Sequence, residues 1–158
     1  MCRCERSACR QAGSNPQGGK MLAKIFNRFG GYTIIVLRIA LGCIFIAHGG
    51  QKLFGLWGGS GLGAFAQSLE GLGIPYPGIM APIAGAAEFF GGLMVLLGLY
   101  ARWGALFITG VMAVAVYTIH WKNGFFLSNQ GYEYNLAIVA MCLSILFAGS
   151  GRWSIRHD

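Results

Sequence analysis

Acidic side chains are scarce in this 158-residue chain: Glu5, Glu70, Glu88, Glu133 and Asp158 are the complete set. Charged residues of both signs reach only 11%, against 55% hydrophobic, far from the quarter-charged composition of a soluble domain. A soluble helical protein of this composition would have almost no polar surface to show to water. Signatures of cofactor and nucleotide chemistry are missing too. There is no phosphate loop, CxxC pair, haem-type CxxCH or serine nucleophile elbow, so the sequence offers no complete catalytic apparatus.

What fills the chain instead is apolar sequence in four segments, roughly 33–51, 79–100, 103–120 and 134–149. The second, IMAPIAGAAEFFGGLMVLLGLY, is long enough as a helix, about 33 Å at roughly 1.5 Å per residue, to cross the hydrocarbon core. The others reach about 17–20 residues with their flanks, enough for a thin or untilted crossing. The 26 glycines are interleaved with Leu, Ile, Phe and Ala, as close packing of membrane helices requires. The fold expected is all-α: a polytopic membrane protein, a four-transmembrane-helix bundle with a short interfacial or re-entrant helix between spans one and two. That short helix is expected near 61–70, capped by Ser60 and stopped by Pro75 and Pro77. Its stripe of Leu62, Phe65, Ala66 and Leu69 suits an element over the bundle mouth, either a lid or a plain connector.

The basic residues sort by side. Arg3, Arg6, Arg10, Lys20, Lys24 and Arg28 precede the first span, Arg102 sits between spans two and three, and Arg152 and Arg156 follow the last. The positive-inside bias then places both termini in the cytoplasm. The net charge of +7 is a topology signal, and the partner it implies is the lipid bilayer, with no nucleic acid. Residues 1–32 read as a polar basic cytoplasmic tail, with Met21 a plausible second start; 33–150 form the membrane domain and 151–158 a short tail. Cys2, Cys4 and Cys9 lack a fourth ligand for zinc. A signal peptide is disfavoured, because His48, Gln51 and Lys52 follow the first apolar run where a small-residue cleavage site would lie.

Glu88 is the only charge within its segment, and a carboxylate at that depth should face protein, a partner charge or a cavity. Arg38, in span one, has the reach to pair with it directly or through water. Alternatively Arg38 snorkels to the headgroups and leaves Glu88 neutral or bound to His48. His48, His120 and Glu133 fall toward the long link. With Gln51, Tyr117 and Asn135 they can line a pocket, or simply anchor the helices at the interface. Arg38, His48, Gln51, Glu88, Tyr117 and His120 are the candidate cofactor-binding residues, for a quinone or similar amphiphile whose oxygens they would bind. No metal site is assigned, since the spacing of these ligands specifies no geometry. Cys43 and Cys142 lie at similar depths and can either form a disulfide or act as small hydrophobes.

Arg38, the run LGCIFIAHGGQKLFG (41–55), the link ending in GLGIPYP (71–77) and AEFFGGLMVLLG (87–98) together resemble the DoxX family over about 33–150. The matching positions are Arg38, His48, Gly49, Gln51, Lys52, Gly73, Pro75 and Glu88. The resemblance implies a four-helix, multi-pass protein of the bacterial inner membrane. It also implies an accessory place in a quinone-linked or thiol and oxidative-stress redox system. The family takes its name from a small subunit of an archaeal terminal quinol oxidase complex. The implied partner is a membrane or membrane-associated redox protein that supplies a metal or flavin, or a further copy of the chain. A non-enzymatic scaffold or small permeation unit is the alternative, since the resemblance assigns no reaction.

Overall fold

A computed structural model describes the backbone of residues 16–151 and 153–155, and side chains from Tyr32 onward. The chain divides into two units, Met1–Gly31 and Tyr32–Asp158, and the cavity and the buried charges belong to the second. Cys2, Cys4 and Cys9, and Arg152, Arg156 and Asp158, lie outside the described residues.

The elements are helices: α1 (Pro16–Phe54), α2 (Gly61–Gly71), α3 (Pro77–Leu97), α4 (Ala101–Ala115) and α5 (Glu133–Ala148). α4 runs on through a π turn, Val116–His120, and a 3-10 turn, Trp121–Asn123. Three stretches are long and apolar enough to cross a membrane: Tyr32–Phe54, Pro77–Leu97 and Ala101–Asn123. α5 is shorter. Its 16 residues give about 24 Å at roughly 1.5 Å per residue, less than a full hydrocarbon core. The expected fourth span is therefore present as an apolar helix of reduced length. The turn-rich stretch KNGFFLSNQG (122–131) delays its start to Glu133, and Gly149, at φ 76°, ends it.

The short helix appears where expected, as α2, but Ser60 makes no side-chain cap to it. Ser60 is itself in helical conformation (φ −72°, ψ −18°), whereas a capping side chain normally acts from an extended residue. α3 starts at Pro77, in the first turn, where a missing N–H costs nothing.

Small residues set how closely the helices approach. A Cβ added at Gly49 of α1 would lie 2.5 Å from the Phe89 nitrogen, and one at Gly92 of α3 would lie 2.8 Å from the Ile46 nitrogen. α3 and α4 cross as tightly, with a Cβ at Gly104 falling 2.7 Å from the Gly91 oxygen. Such contact supplies the dispersion energy that must hold helices together where lipid removes the hydrophobic drive. Leu41, Phe45, Val95, Ala105, Ile108, Ile138, Cys142 and Ile145 form the buried core. These positions gather toward the end where α3 stops and α4 begins. Cys43 lies between core positions 41 and 45 and is exposed, while Cys142 is buried; both are free thiols, so no disulfide joins them.

Candidate functional site

Arg38 is 3% exposed and belongs to the packed end. Its Nε donates to the Val95 carbonyl at 2.9 Å and its Nη2 to that of Leu96 at 3.0 Å. Nη1 donates to the Ser150 carbonyl at 2.8 Å and, more weakly, to that of Trp153 at 3.4 Å. The acceptors belong to the last turn of α3 and to the segment after α5. α3 closes with a left-handed Gly98 (φ 69°), whose N–H reaches Val95 while that of Leu99 reaches Met94. A cation at the negative end of the helix dipole completes the cap. Any side chain at position 98 would overlap the guanidinium.

Glu88 is 1% exposed and accepts from Lys52 Nζ through Oε1 at 2.5 Å. Its other oxygen, Oε2, is buried with no hydrogen-bond partner. The expected Arg38–Glu88 pair is therefore replaced by Lys52–Glu88. The reason is register: Gly49 lies against Phe89 and Gly92 against Ile46, which sets the Lys52 end of α1 beside Glu88. Arg38 meets α3 at Val95 instead, two turns or about 10 Å further along. Lys52 keeps 28% exposure, and its ammonium also sits 4.9 Å from the centre of the Phe65 ring on α2.

The ion pair forms one wall of a cavity of about 580 Å³ bounded by residues of all five helices. The walls are mostly apolar, with Phe45, Phe65, Ile83, Phe107, Val111 and Ile138 among them. Polar groups from separate elements converge on it: His48 and Lys52 of α1, Glu88 of α3, Thr118 and His120 of the π turn, and Asn135 of α5. Nδ1 of His48 bonds to the Ile44 carbonyl at 2.9 Å, and Nδ1 of His120 to the Gln130 carbonyl at 2.6 Å. In the neutral rings, Nδ1 then carries the proton and Nε2 is left as an acceptor. Asn135 is 5% exposed, and its amide meets the Met112 sulfur at 3.5 Å. Apolar walls with a few convergent polar groups are the usual build of a site for a small amphiphilic ligand.

Of the six candidate residues, His48, Glu88 and His120 line this cavity, and Arg38, Gln51 and Tyr117 do not. Gln51 turns to the link, where a Cβ at Gly59 would stand 2.5 Å from its Cα. Tyr117 is 83% exposed beside a shallower hollow of about 420 Å³ between α4 and α5. Glu133 accepts from the Leu127 N–H at 3.0 Å and does not line the main cavity. Among the described residues, no three His, Cys, Asp or Glu side chains come together as metal ligands. Sequence reasoning left Lys52 out of the candidate ligands, although it stands among the positions of the family resemblance. The available signal was its spacing of four from His48, which places both on one face of a helix.

The sequence pattern of the DoxX family matches residues 33–121. The chain is 30% identical to the inner membrane protein YqjF of Escherichia coli, over 77% of this chain and 88% of that protein. It is 31% identical to a membrane protein of Mycobacterium tuberculosis, over 78% of each. It is also 28% identical, over 70% of this chain and 76% of the other, to CatD of Bacillus subtilis, whose given name proposes an oxidoreductase. No solved structure matches the chain significantly.

Proposed function

The chain belongs to the DoxX family and is a multi-pass protein of the bacterial inner membrane, and on that footing we propose that it serves as an accessory subunit of a quinone-linked or thiol and oxidative-stress redox system. The observation that carries the reading is the cavity beside Lys52–Glu88: apolar walls for a ring, and polar groups at one end for its oxygens. The name of CatD supports a redox setting in general terms. In this reading the carrier sits in the cavity, and a membrane or membrane-associated redox protein docks on the bundle and supplies the metal or flavin. α5 and its flanks act as the fourth crossing, α2 lies at the outer interface, and both termini face the cytoplasm.

A scaffold role draws its support from Arg38, whose donors are committed to backbone carbonyls and hold α1, α3 and the end of the chain together. Two measurements separate the readings. A short-chain quinone, oxidised and then reduced, is titrated onto the protein in lipid nanodiscs while fluorescence is followed. A saturable change with either form is expected, with an affinity that shifts about tenfold or more in Glu88→Gln. Mild-detergent purification from native membranes should also recover a redox enzyme. If neither form gives a saturable change and no such enzyme co-purifies, the scaffold reading takes its place.

A further inference from the structure

We infer that the cavity holds a bilayer-soluble amphiphile whose head group donates a hydrogen bond to Glu88 Oε2 and whose apolar tail leaves between α3 and α4. The inference rests on the same cavity as the proposed function, and adds what the ligand must carry and how it enters.

The head group follows from the orphan oxygen. A carboxylate paired with an ammonium is an acceptor at both oxygens, and here one of them is satisfied and the other is not. Leaving a buried acceptor unpaired costs more than its hydrogen bond would contribute, so an occupant that brings an O–H is favoured over one that brings only acceptors. For a quinone-type carrier, the oxidised form has only carbonyl acceptors, whereas the reduced quinol brings hydroxyl donors.

The route follows from how α3 and α4 part. They approach closely at Gly91 and Gly104. From that crossing onward, Phe107 and Val114 of α4 and Ile83 of α3 line the cavity and are 44%, 55% and 55% exposed. Large, strongly exposed side chains lining the cavity on two neighbouring helices are what the rim of an opening between those helices would present. Gly110 lies on the same stretch, and a Cβ there would meet nothing within 4 Å. Its environment is a gap bordered by hydrocarbon side chains, suited to an alkyl or isoprenoid tail.

The test uses the full chain in lipid nanodiscs with two probes of equal tail, a para-dodecyl phenol and its methyl ether. The phenol is expected to bind about tenfold or more tightly than the ether, which has no donor. In Glu88→Gln the amide oxygen turns to the Lys52 ammonium and leaves an N–H₂ in the place of Oε2. The preference for the phenol should then shrink or reverse. Gly110→Leu should weaken phenol binding about tenfold, while Gly78→Leu, at another open glycine that does not line the cavity, should not. Gly110→Ala, should the leucine prevent folding, is expected to show the same effect more weakly. Equal affinity for phenol and ether means that water satisfies Oε2, and it overturns the head-group assignment. No binding of either probe, or an unaltered affinity in both Gly110 variants, overturns the site or its route. Selective phenol binding without any response to the quinone in either form would leave this inference standing and remove the quinone-linked reading.

Discussion

Arg38 and Glu88 are both buried charges in a bundle of few charges, yet they are satisfied in opposite ways. Arg38 gives its donors to carbonyls of α3 and of the segment after α5, and takes no acid as partner in these bonds. Glu88 has one ammonium on one oxygen and nothing on the other. The first arrangement closes a helix end inside the packed half of the bundle. The second borders open space in the other half, next to a lysine that still reaches water. A fully used charge of this kind is structural, and a half-used one has capacity left for a ligand. The difference teaches where to separate stability from binding in this protein.

The comparison is most exposed at Arg38. Arg38→Ala removes the cation and takes one donor from each of the Val95, Leu96 and Ser150 carbonyls at the packed helix end. A loss of about 3–5 kcal/mol is expected, read as a fall in the midpoint of unfolding by SDS titration from mild detergent. Arg38→Lys should restore less than half of it, because a point ammonium cannot span carbonyls on two segments as the planar fork does. A loss below 1 kcal/mol for Arg38→Ala would make the guanidinium a guest at that end, with no structural role.

A smaller and asymmetric effect is expected at the other pair. Lys52→Met leaves the carboxylate of Glu88 buried at 1% exposure without its partner, and should cost about 2–4 kcal/mol. Glu88→Gln instead leaves Lys52 facing a neutral amide oxygen in place of a charge. That side chain is 28% exposed and its flexible stem can carry the charge outward, so about 1 kcal/mol is expected. The same SDS titration ranks the two. Equal losses would show that the site is as closed as the Arg38 end and that the cavity does not relax around Lys52.

Much of the fold was legible, because lipid imposes length and hydropathy on any crossing helix and those are additive along the chain. α1, α3 and α4 declare themselves in that way, and α2 by its stripe between glycines and prolines. What was not legible depends on contacts between segments. Ser60 is the right residue type to cap α2, but its backbone is already helical, which no local pattern shows. Cys43 and Cys142 agree in depth yet differ in facing, since depth says nothing about rotation around a helix axis. α5 falls short because Gly149 ends it, and glycine at many other positions in this chain is simply continued through. The cavity is an absence of contacts, so half of the candidate ligands could be named from polarity while Gln51 and Tyr117 could not be ruled out.

The choice of partner for Glu88 shows the limit most sharply, and it yields the smallest expected effect. Arg38 became one candidate partner by comparing reach along each helix on its own. That procedure fixes neither the tilt nor the stagger of two helices. The glycine contacts of α1 with α3 do fix it, at Gly49 on Phe89 and Ile46 on Gly92, and they bring Lys52 to Glu88. Arg38 meets α3 at Val95, about 10 Å further along, with backbone acceptors of its own. Two sites with separate partners at that distance should be additive to within about 0.5 kcal/mol. A double-mutant cycle of Arg38→Lys with Glu88→Gln, read by SDS titration, is therefore expected to give a coupling near zero. The cycle of Lys52→Met with Glu88→Gln should couple by more than 1 kcal/mol, because the second change removes the charge that the first leaves stranded. Strong coupling in the first cycle with none in the second would reverse the register of α1 on α3, and with it the division between a structural and a ligand-facing charge.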